Sequence, residues 1–343
     1  MSAEDTALTV VIPYFQEVPG ILRRSVVSAL KQEGFDDFEI VVVDDSSPIP
    51  ASADIADLLE QHPGRIRVVK RSNGGCGAAR NTGMDSIPRT RRFVAFLDSD
   101  DEWEPHHLRT AVDVLERGYD FFFANLFHRD RNISAFERER QQAFPNRLRP
   151  EEMKPLAGLP DCFGFEGDMF DRALFSGNKI APPTVVYRFD RFPDYRYQEG
   201  FRCVGEEYLF FAGIAKLGAR FAFSERPAVH CGHGVNVFEN SGWGTPRFLQ
   251  RVCDEITYRK YARATWEFSP AQQRQHDRKL MELRTAFALA GAGHLRRLEF
   301  PPLKQVFRLL KVDPLFPIAL PAAAMKKLRG VAEPGPQDLR SRE

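Results

Sequence analysis

Cysteine is scarce in this sequence, and its few cysteines do not form a recognisable framework. Among 343 residues there are five, Cys76, Cys162, Cys203, Cys231 and Cys253, and no two of them form a Cys-x-x-Cys pair. An odd, scattered set argues against a disulfide scaffold and against a structural zinc site. We therefore expect a reducing compartment, the cytoplasm.

An excess of charge of one sign is also absent. The 48 basic and 47 acidic residues nearly cancel, which leaves a formal net charge of +1. A protein that attracts nucleic acid or an anionic membrane through its overall field needs a basic surplus. The balance excludes such a field, so we expect no nucleic-acid partner, and any anionic partner must be bound locally.

Long apolar runs are missing as well. No unbroken run reaches the roughly 20 residues that a membrane-spanning helix needs. The first residues lead into a strand-like run without the charged and apolar regions of a signal peptide. We therefore expect that the protein is not an integral membrane protein and is not secreted through a signal peptide. Apolar residues still make up 43% of the chain, enough for a sizeable core in one large domain or two smaller ones.

Short β-rich runs alternate with segments of helical spacing in the first part of the chain. The predicted strands there are 8–12, 38–43, 66–69 and 93–97. Strands that alternate with helices predict parallel βαβ units. Further strands are predicted at 119–124, 181–187, 221–223 and 228–230, with a loop-rich segment at 129–160, a helix at 204–217 and helices after 240.

Polar clusters follow three of these strands, at 13–17, 44–48 and 98–101. If the strands are parallel, the clusters share one edge of the sheet, where open α/β sheets bind ligands. A glycine-rich segment at 73–83 follows the remaining strand and leads into a helix. Such a segment lets backbone amides approach an anion.

The acidic turn at 98–101 admits two interpretations. Asp98 and Asp100 are one residue apart, and such carboxylates suit a hard cation such as Mn²⁺ or Mg²⁺. The alternative is a solvated Asp/Ser turn that caps the following helix. We expect Asp101 to be the capping residue.

Four motifs in order resemble the family 2 glycosyltransferases of the GT-A fold. They are VVIPYF at 10–15, IVVVDDSS at 40–47, NGGCGAARNTG at 73–83 and FLDSDD at 96–101. GEEY at 205–208 and HGVN at 233–236 continue the resemblance. It covers about the first 240 residues and implies an α/β fold of GT-A type: Rossmann-like, with a mostly parallel central sheet flanked by helices. The helical spacing after residue 240 predicts a C-terminal helical extension.

The resemblance also implies a domain organisation. A GT-A glycosyltransferase domain is expected at 1–240, with a nucleotide-sugar-binding half at 1–117 and an acceptor half at 118–240. A helical region is expected at 241–330. The last residues, 331–343, are rich in proline and charge and are predicted to be a disordered tail.

The family likeness implies a site for a nucleotide-sugar donor. Asp45 is expected to accept a hydrogen bond from the imide of a uracil-like base, while Asp44 shapes the same turn; an Asx turn that caps the helix after Pro50 is the alternative for both. Arg80 is expected to face the base or the diphosphate, or to be a surface arginine on its helix. The other implied donor contacts are Pro13, Tyr14 and Glu17 around base and ribose, and Asp98 with Ser99 at the ribose.

The same likeness implies a metal ligand and a base. Asp100 would coordinate a divalent cation, Mn²⁺ or Mg²⁺, that bridges the phosphates, and His233 would add a metal or diphosphate contact, although a lone histidine is often structural. Glu207 stands where the family has its catalytic Asp, and would accept the proton of the acceptor hydroxyl. Glu206 and Trp103 would contact the acceptor. Alternatively, Glu206 and Glu207 only stabilise the start of a helix, because acidic side chains are favourable in the first turn.

The sequence thus predicts an inverting, metal-dependent glycosyltransferase. By family likeness its donor would be a nucleotide-diphospho sugar, with UDP as the expected nucleotide. Its acceptor would be a saccharide or lipid-linked saccharide, as in cell-surface polysaccharide or glycolipid synthesis. Two alternatives remain: a catalytically silent sugar-binding module on this fold, and a receiver-type signalling domain, since acidic residues 44 and 45 follow a strand.

Basic amphipathic segments are predicted in the C-terminal region, within 302–329. They suit peripheral docking on the inner face of a membrane, where a lipid-linked acceptor would lie. Alternatively, these helices cover the domain or form a homodimer contact, because apolar helix faces usually pack on protein.

Overall fold

The computed structural model describes residues 7–235, 241–245, 247–296 and 303–319. The strands are β1 Leu8–Tyr14, β2 Phe38–Asp44, β3 Ile66–Lys70, β4 Phe93–Phe96, β5 Glu102–Trp103, β6 Phe121–Phe127, β7 Met153–Pro155, β8 Cys162–Phe165, β9 Val186–Arg188 and β10 Phe221–His230. The helices are α1 Ile21–Leu30, α2 Ala51–Asp54, α3 Ala56–Gln61, α4 Cys76–Asp85, α5 His107–Leu115, α6 Ala135–Gln141, α7 Met169–Asp171, α8 Glu206–Lys216, α9 Phe248–Thr265, α10 Pro270–Arg296 and α11 Leu303–Val312.

The described strands form one mixed sheet. Its order is β3-β2-β1-β4-β9-β6-β10-β8-β7, and β5 pairs with β10. The ladders among β1, β2, β3 and β4 are parallel, as is that between β6 and β10. β9 lies antiparallel between β4 and β6, and β8 and β7 extend the sheet in antiparallel fashion. The predicted α/β class, a central sheet flanked by helices, is confirmed.

The central strands are buried apolar runs. All seven residues of β1 and all seven of β2 are buried, which is the pattern of parallel strands covered on both faces. Helix α4 packs closely on β1, since a Cβ atom at Gly83 would overlap Val11. This close contact places the start of α4 at the edge of the sheet where β1 ends.

The strand register places the polar clusters at one edge. In the parallel ladders Tyr14 pairs with Asp44, and Val11 pairs with Phe96. The loops that follow β1, β2 and β4 therefore leave the sheet on the same side. The predicted shared edge is confirmed.

Three predicted segments differ in detail. Residues 182–184 form a 3₁₀ turn and β9 begins only at Val186, because two consecutive prolines lack the N–H groups of a ladder. The two strands predicted at 221–223 and 228–230 are one strand, β10, with register shifts around Pro227. The segment predicted as loop-rich contains α6, whose N-cap Ser134 accepts a hydrogen bond from the Glu137 amide.

The chain divides into two compact units. Within the described residues the first unit comprises 7–173, 179–200 and 210–235, and the second comprises 174–178, 201–209 and the residues after 240. Helix α8 thus contributes its first turn to the second unit and the rest to the first. The predicted boundaries at 117 and 240 stay predictions, and the predicted tail lies outside the described residues.

Helices α9, α10 and α11 enclose the core of the second unit. This core consists of Phe248, Leu249, Val252, Cys253, Ile256, Leu280, Leu283, Phe287, Ala288, Leu309 and Phe316. Apolar residues recur at three- and four-residue intervals along α9 and α10, the spacing that gives a helix one apolar face. Across the described residues, no helix combines the length and apolarity needed to cross a bilayer.

A buried ion-pair network lies beside that core. Asp313 is fully buried, and its carboxylate accepts hydrogen bonds from Arg284 Nε at 2.6 Å, Arg284 Nη2 at 2.7 Å and Lys260 Nζ at 3.0 Å. Burial alone would raise the pKa of Asp313, but the bonds from Arg284 and Lys260 outweigh it and hold the pKa below its ordinary value. The network ties α9 and α10 to the segment that follows α11.

Candidate active site

The acidic turn, residues 98–101, follows β4 at the shared edge of the sheet. The amide of Asp101 donates to the carbonyl of Asp98 at 3.1 Å and closes the turn. The side chains of Asp98 and Asp100 are 30% and 17% exposed, whereas Asp101 is buried. Two carboxylates of the turn are therefore within reach of a ligand.

The charges of this turn are only partly compensated. Burial, followed by repulsion from Asp98, raises the pKa of Asp100 to about 6. Burial and the charges of Asp98 and Asp100 also raise the pKa of Asp101 well above its ordinary value. Arg129 Nη2 lies 3.4 Å from Asp100 Oδ2 and offsets part of this effect. A cation that reached the turn would relieve the repulsion.

The donors of the turn fit a cation that is shared with a phosphate. Within the described residues, no group of three or more His, Cys, Asp or Glu side chains is arranged to hold a metal ion. Mg²⁺ and similar hard cations commonly use one or two carboxylates plus phosphate oxygens instead of a complete protein cage. Asp100, partly exposed and short of positive partners, suits such a role.

A covering loop, residues 231–235, packs on the acidic turn. The Gly232 amide donates to Asp101 Oδ1 at 2.9 Å. A Cβ atom at Gly234 would lie 2.5 Å from the Cβ of Asp100, so only glycine fits there without a shift. The prediction that Asp101 caps a helix is wrong: its carboxylate holds the covering loop, and the N-cap of α5, His106, makes no side-chain capping bond.

Gln16 joins the covering loop to the acidic turn, and sequence reasoning missed it. This side chain is 2% exposed; its Nε2 donates to Ser99 Oγ at 3.0 Å, and its Oε1 accepts from the Val235 amide at 2.9 Å. Its backbone amide donates to Ser47 Oγ at 2.8 Å. Gln16 thus connects the loops after β1, β2 and β4 with the covering loop. The only signal was its place between Tyr14 and Glu17.

His233 lies on the covering loop and is well exposed. Its Nε2 is 3.3 Å from Oδ1 of Asp130, another exposed side chain. Its two neighbours, Gly232 and Gly234, are the residues that contact the acidic turn. The structure therefore brings the backbone at His233 to the turn, while the metal contact of its ring stays a prediction.

Arg80 contacts the acidic turn from helix α4. The residue is buried, and its Nη2 donates to Asp98 Oδ1 at 2.6 Å. Its guanidinium carbon lies 5.4 Å from the ring centre of Tyr197 and 5.9 Å from that of Phe96. Arg80 thus positions Asp98, its burial rules out the surface alternative, and its contact with the base or the diphosphate stays a prediction.

Asn81, the next residue on α4, was also missed. Its Nδ2 donates to the Tyr197 carbonyl and to Glu199 Oε1, both at 2.9 Å, and its Oδ1 accepts from the Tyr197 amide at 2.8 Å. These bonds fix the segment around residue 197 next to Arg80. The pair at 80 and 81 therefore positions both the carboxylate of Asp98 and the segment around residue 197.

Asp44 and Asp45 build the turns around them. Asp44 accepts from the amides of Ser47 at 2.8 Å and Ala51 at 2.9 Å, which is the Asx-type cap that the sequence left open. The two oxygens of Asp45 accept from the amides of Gly74 and Gly75, each at 2.8 Å. Gly75 has φ of 92°, a conformation that favours glycine at the start of α4. Both carboxylates are buried.

The remaining predicted donor contacts differ in exposure. Pro13 and Tyr14 are buried, and burial raises the pKa of Tyr14 to about 12, whereas Glu17 is exposed. Ser99 is buried and bonded to Gln16. Of these four, Glu17 is the side chain most open to a ligand.

Trp103 is a core residue. It is 4% exposed, its indole N–H donates to the Pro183 carbonyl at 2.7 Å, and its ring centre lies 4.8 Å from that of His107. The burial does not match the ligand stacking that the sequence suggested for Trp103. The aromatic ring instead packs β5 against α5.

Glu206 and Glu207 form the first turn of α8, in the part of the helix that belongs to the second unit. Both are half-buried. Acidic side chains are favourable at a helix N-terminus, so the helix-end alternative accounts for their position. The base role of Glu207 stays a prediction.

Comparison with known sequences identifies the family. The model of "Glycosyl transferase family 2" matches residues 9–176. The succinoglycan biosynthesis protein ExoW of Rhizobium meliloti (strain 1021) is 33% identical over 245 residues, which cover 71% of this chain and 74% of ExoW. ExoO of the same organism, also a succinoglycan biosynthesis protein, is 28% identical over 206 residues, 58% of this chain and 53% of ExoO.

Solved structures share the fold. S. aureus TarS 1-349, in complex with UDP-GlcNAc, has a TM-score of 0.54 at 20% identity, over 98% of this chain and 89% of that one. The mannosyltransferase PcManGT from Pyrobaculum calidifontis, in complex with GDP-Man and Mn²⁺, has a TM-score of 0.51 at 17% identity, over 95% and 88%. These matches agree with the four sequence motifs, and the chain therefore belongs to glycosyl transferase family 2 and is a glycosyltransferase of the GT-A fold.

Proposed function

We propose that this enzyme transfers a sugar, with inversion, from a nucleotide-diphospho donor to a saccharide or lipid-linked saccharide. The acidic turn carries the proposal, because it places the partly exposed carboxylates of Asp98 and Asp100 at the shared edge of the sheet, and only part of the charge of Asp100 is offset by Arg129. The names of ExoW and ExoO support a place in polysaccharide synthesis. TarS, seen with UDP-GlcNAc, supports a UDP-linked donor.

The donor is held by the residues around the shared sheet edge. Asp98, fixed by Arg80, accepts hydrogen bonds from ribose hydroxyls, with Ser99 beside it. Asp45 and the glycine turn that it holds form the site of the base, with Glu17, Pro13 and Tyr14 near it. Asp45 already accepts two backbone N–H bonds, and its Oδ1 lies 2.9 Å from Arg71 Nε, so a base imide would use the lone pair left on Oδ2.

Asp100 is the proposed ligand of a divalent cation, Mn²⁺ or Mg²⁺, with His233 as an additional contact of metal or diphosphate. When bound, the cation supplies positive charge that stabilises the departing nucleoside diphosphate. PcManGT, which was solved with Mn²⁺, supports this choice. Asp100 would orient the diphosphate through that cation, and the covering loop, which packs on the turn at Asp100 and Asp101, would hold it in place.

Glu207 is the proposed general base. Its carboxylate accepts the proton of the acceptor hydroxyl as the oxygen attacks the anomeric carbon, and a single displacement inverts that centre. Glu206, beside it, contacts the acceptor. Glu207→Gln removes the basic oxygen with little change in size, so we expect transfer to fall about a hundredfold or more while donor affinity is kept. Equal transfer by Glu207→Gln would assign the base to another residue.

Donor turnover is the direct test of the activity. The protein is mixed with a panel of UDP- and GDP-sugars, with and without Mn²⁺, and thermal shift and donor hydrolysis are measured. Metal-dependent stabilisation and hydrolysis of a UDP-sugar are expected. Stabilisation without turnover supports the silent sugar-binding module, and preference for a GDP-sugar overturns the base assignment. Membership of the family leaves no support for the receiver-type alternative.

A further inference from the structure

Helix α11 carries an exposed apolar surface. Eight large apolar side chains stand out as exposed in the described part of the chain, and four of them lie between residues 303 and 315. They are Leu303, Phe307, Leu310 and Leu315, with Phe307 the most exposed at 67%. This density is unusual, because exposed large apolar residues are normally scattered singly.

The exposed residues of the helix share one face. Leu303, Phe307 and Leu310 are four and three residues apart, the spacing that aligns side chains along a helix. We call these three residues the apolar stripe. Another face of α11 is already used, because Leu309 belongs to the core of the second unit and Val306 packs against it. The helix is therefore fixed by one face while the stripe points away from the core.

Positive charge accompanies the stripe. Helix α11 has no acidic residue, and Lys311, exposed in its last turn, is one residue beyond Leu310. Between residues 300 and 332 the sequence has six basic residues and one acidic residue, Asp313. Asp313 is buried and neutralised by Arg284 and Lys260, and Arg308 is paired with the buried Asp254 at 2.6 Å. Among the described side chains of the helix, Lys311 therefore supplies the exposed charge beside the stripe.

We infer that α11 docks on an anionic lipid surface, with the apolar stripe among the acyl chains and Lys311 at the headgroup phosphates. An apolar face flanked by cations is the composition of helices that lie in a membrane interface. A second copy of this chain is a poorer occupant: stripe on stripe would bring Lys311 of the two helices together, and helix α11 has no acidic residue to oppose that charge. The inference goes beyond the proposed function and does not depend on it.

Vesicle flotation tests this surface with the full chain. Vesicles of equimolar phosphatidylglycerol and phosphatidylcholine are compared with vesicles of phosphatidylcholine alone. We expect the protein to float with the anionic vesicles, and less so at high salt, because screening weakens the cationic contribution. The variant Phe307→Ser with Leu310→Ser should lower the partition coefficient about tenfold or more, since it removes two inserted apolar side chains. Lys311→Glu should weaken binding to the anionic vesicles only.

The matched control is Leu217→Ser, which removes an equally exposed apolar side chain from the first unit. It should float like the unchanged protein, and all variants should keep its melting temperature. Failure of the unchanged protein to float with anionic vesicles overturns the inference, and so does equal flotation of the stripe variant. Light scattering that finds a dimer, dissociated by the stripe variant, with no flotation, would instead assign the stripe to self-association.

Discussion

Two carboxylates with little solvent exposure, Asp313 and Asp100, have opposite electrostatic surroundings in this protein. In the second unit, Asp313 is bound by Arg284 and Lys260, and its pKa is lowered. In the first unit, Asp100 lies in a turn with two further carboxylates, and its pKa is raised to about 6 in spite of the nearby Arg129. A carboxylate that stabilises a fold has cationic partners of its own. The charge of Asp100 is only partly offset by Arg129, which is the arrangement expected of a carboxylate that binds a ligand.

The largest expected effect separates activity from stability at Asp100. Asp100→Asn removes the proposed metal ligand, so donor turnover with Mn²⁺ should fall about a hundredfold. The same change removes a charge from a cluster of like charges, so the melting temperature measured without metal should rise. Asp36→Asn, which removes an exposed carboxylate of the same unit, should change neither quantity. A lowered melting temperature in Asp100→Asn would mean that Asp100 is structural.

The opposite outcome is expected at Asp313. Asp313→Asn leaves two cations without their buried partner, so the free energy of unfolding should fall by about 3 kcal/mol in urea denaturation. Asp277→Asn, a mostly exposed position in the same unit, is the control. The pKa of Asp313 is lowered from its ordinary 3.8, so its contribution is complete above that pH and is lost as the pH falls through the lower folded value. An unchanged unfolding curve would show that the ion pairs contribute nothing.

His107 provides a third case, a buried group that stays neutral. It is fully buried, neither ring nitrogen has a hydrogen-bond partner within the described structure, and burial lowers its pKa from 6.5 to about 3. Between pH 6.5 and about pH 3, His107 is protonated in the unfolded chain but not in the folded chain. The protein therefore loses stability as the pH falls through that range. Going from about pH 7.5 to about pH 5, the loss should be about 2 kcal/mol.

His107→Leu should abolish that loss, since leucine does not titrate and fits between Trp103 and Phe122. The measurement is the free energy of unfolding of both proteins at several pH values. The two curves should separate as the pH falls, with the variant the more stable. If they stay parallel, His107 is protonated in the folded protein as readily as in the unfolded one.

The sequence predicts best what local patterns determine. Continuous apolar runs and their alternation with helices were sufficient for β1, β2, β3 and β4, and hence for the shared edge with its polar clusters. Antiparallel pairing was not predictable in the same way: β5 pairs with β10, more than a hundred residues away in the chain. Asp101 was misassigned for the same reason, because its partner Gly232 is distant in sequence.

The chemical type of a residue also did not predict whether its side chain is buried. Trp103 and Arg80 look like ligand contacts in the sequence, yet both are buried and contact protein groups. Conversely, Asn81 and Gln16 carry uncharged amides that suggest no chemistry until their partners are known. A long polar side chain can be read as a site residue or as its support only when the folded surroundings are known.

Gln16 offers the smallest and most specific test of the contrast between the units. In the acidic turn, neutral groups act beside the cations Arg80 and Arg129: the amide of Gln16 holds the turn through Ser99, and the Gly232 amide holds Asp101. The described side-chain partners of Asp313 are the cations Arg284 and Lys260. Gln16→Met keeps the length of the side chain but removes both of its hydrogen bonds. We expect the kcat of donor turnover to fall about tenfold, and the free energy of unfolding to fall by about 1 kcal/mol.

A merely structural role would not change the metal requirement, so the Mn²⁺ concentration that gives half-maximal rate is the deciding measurement. It should rise in Gln16→Met, because the turn that presents Asp100 is no longer fixed to the covering loop. Gln16→Glu keeps the acceptor for the Val235 amide but loses the donor to Ser99. The Mn²⁺ concentration for half-maximal rate in Gln16→Glu should therefore lie between the values of the unchanged protein and of Gln16→Met. An unaltered Mn²⁺ dependence in both variants would confine Gln16 to stability and leave the acidic turn held by Asp101 and Gly232.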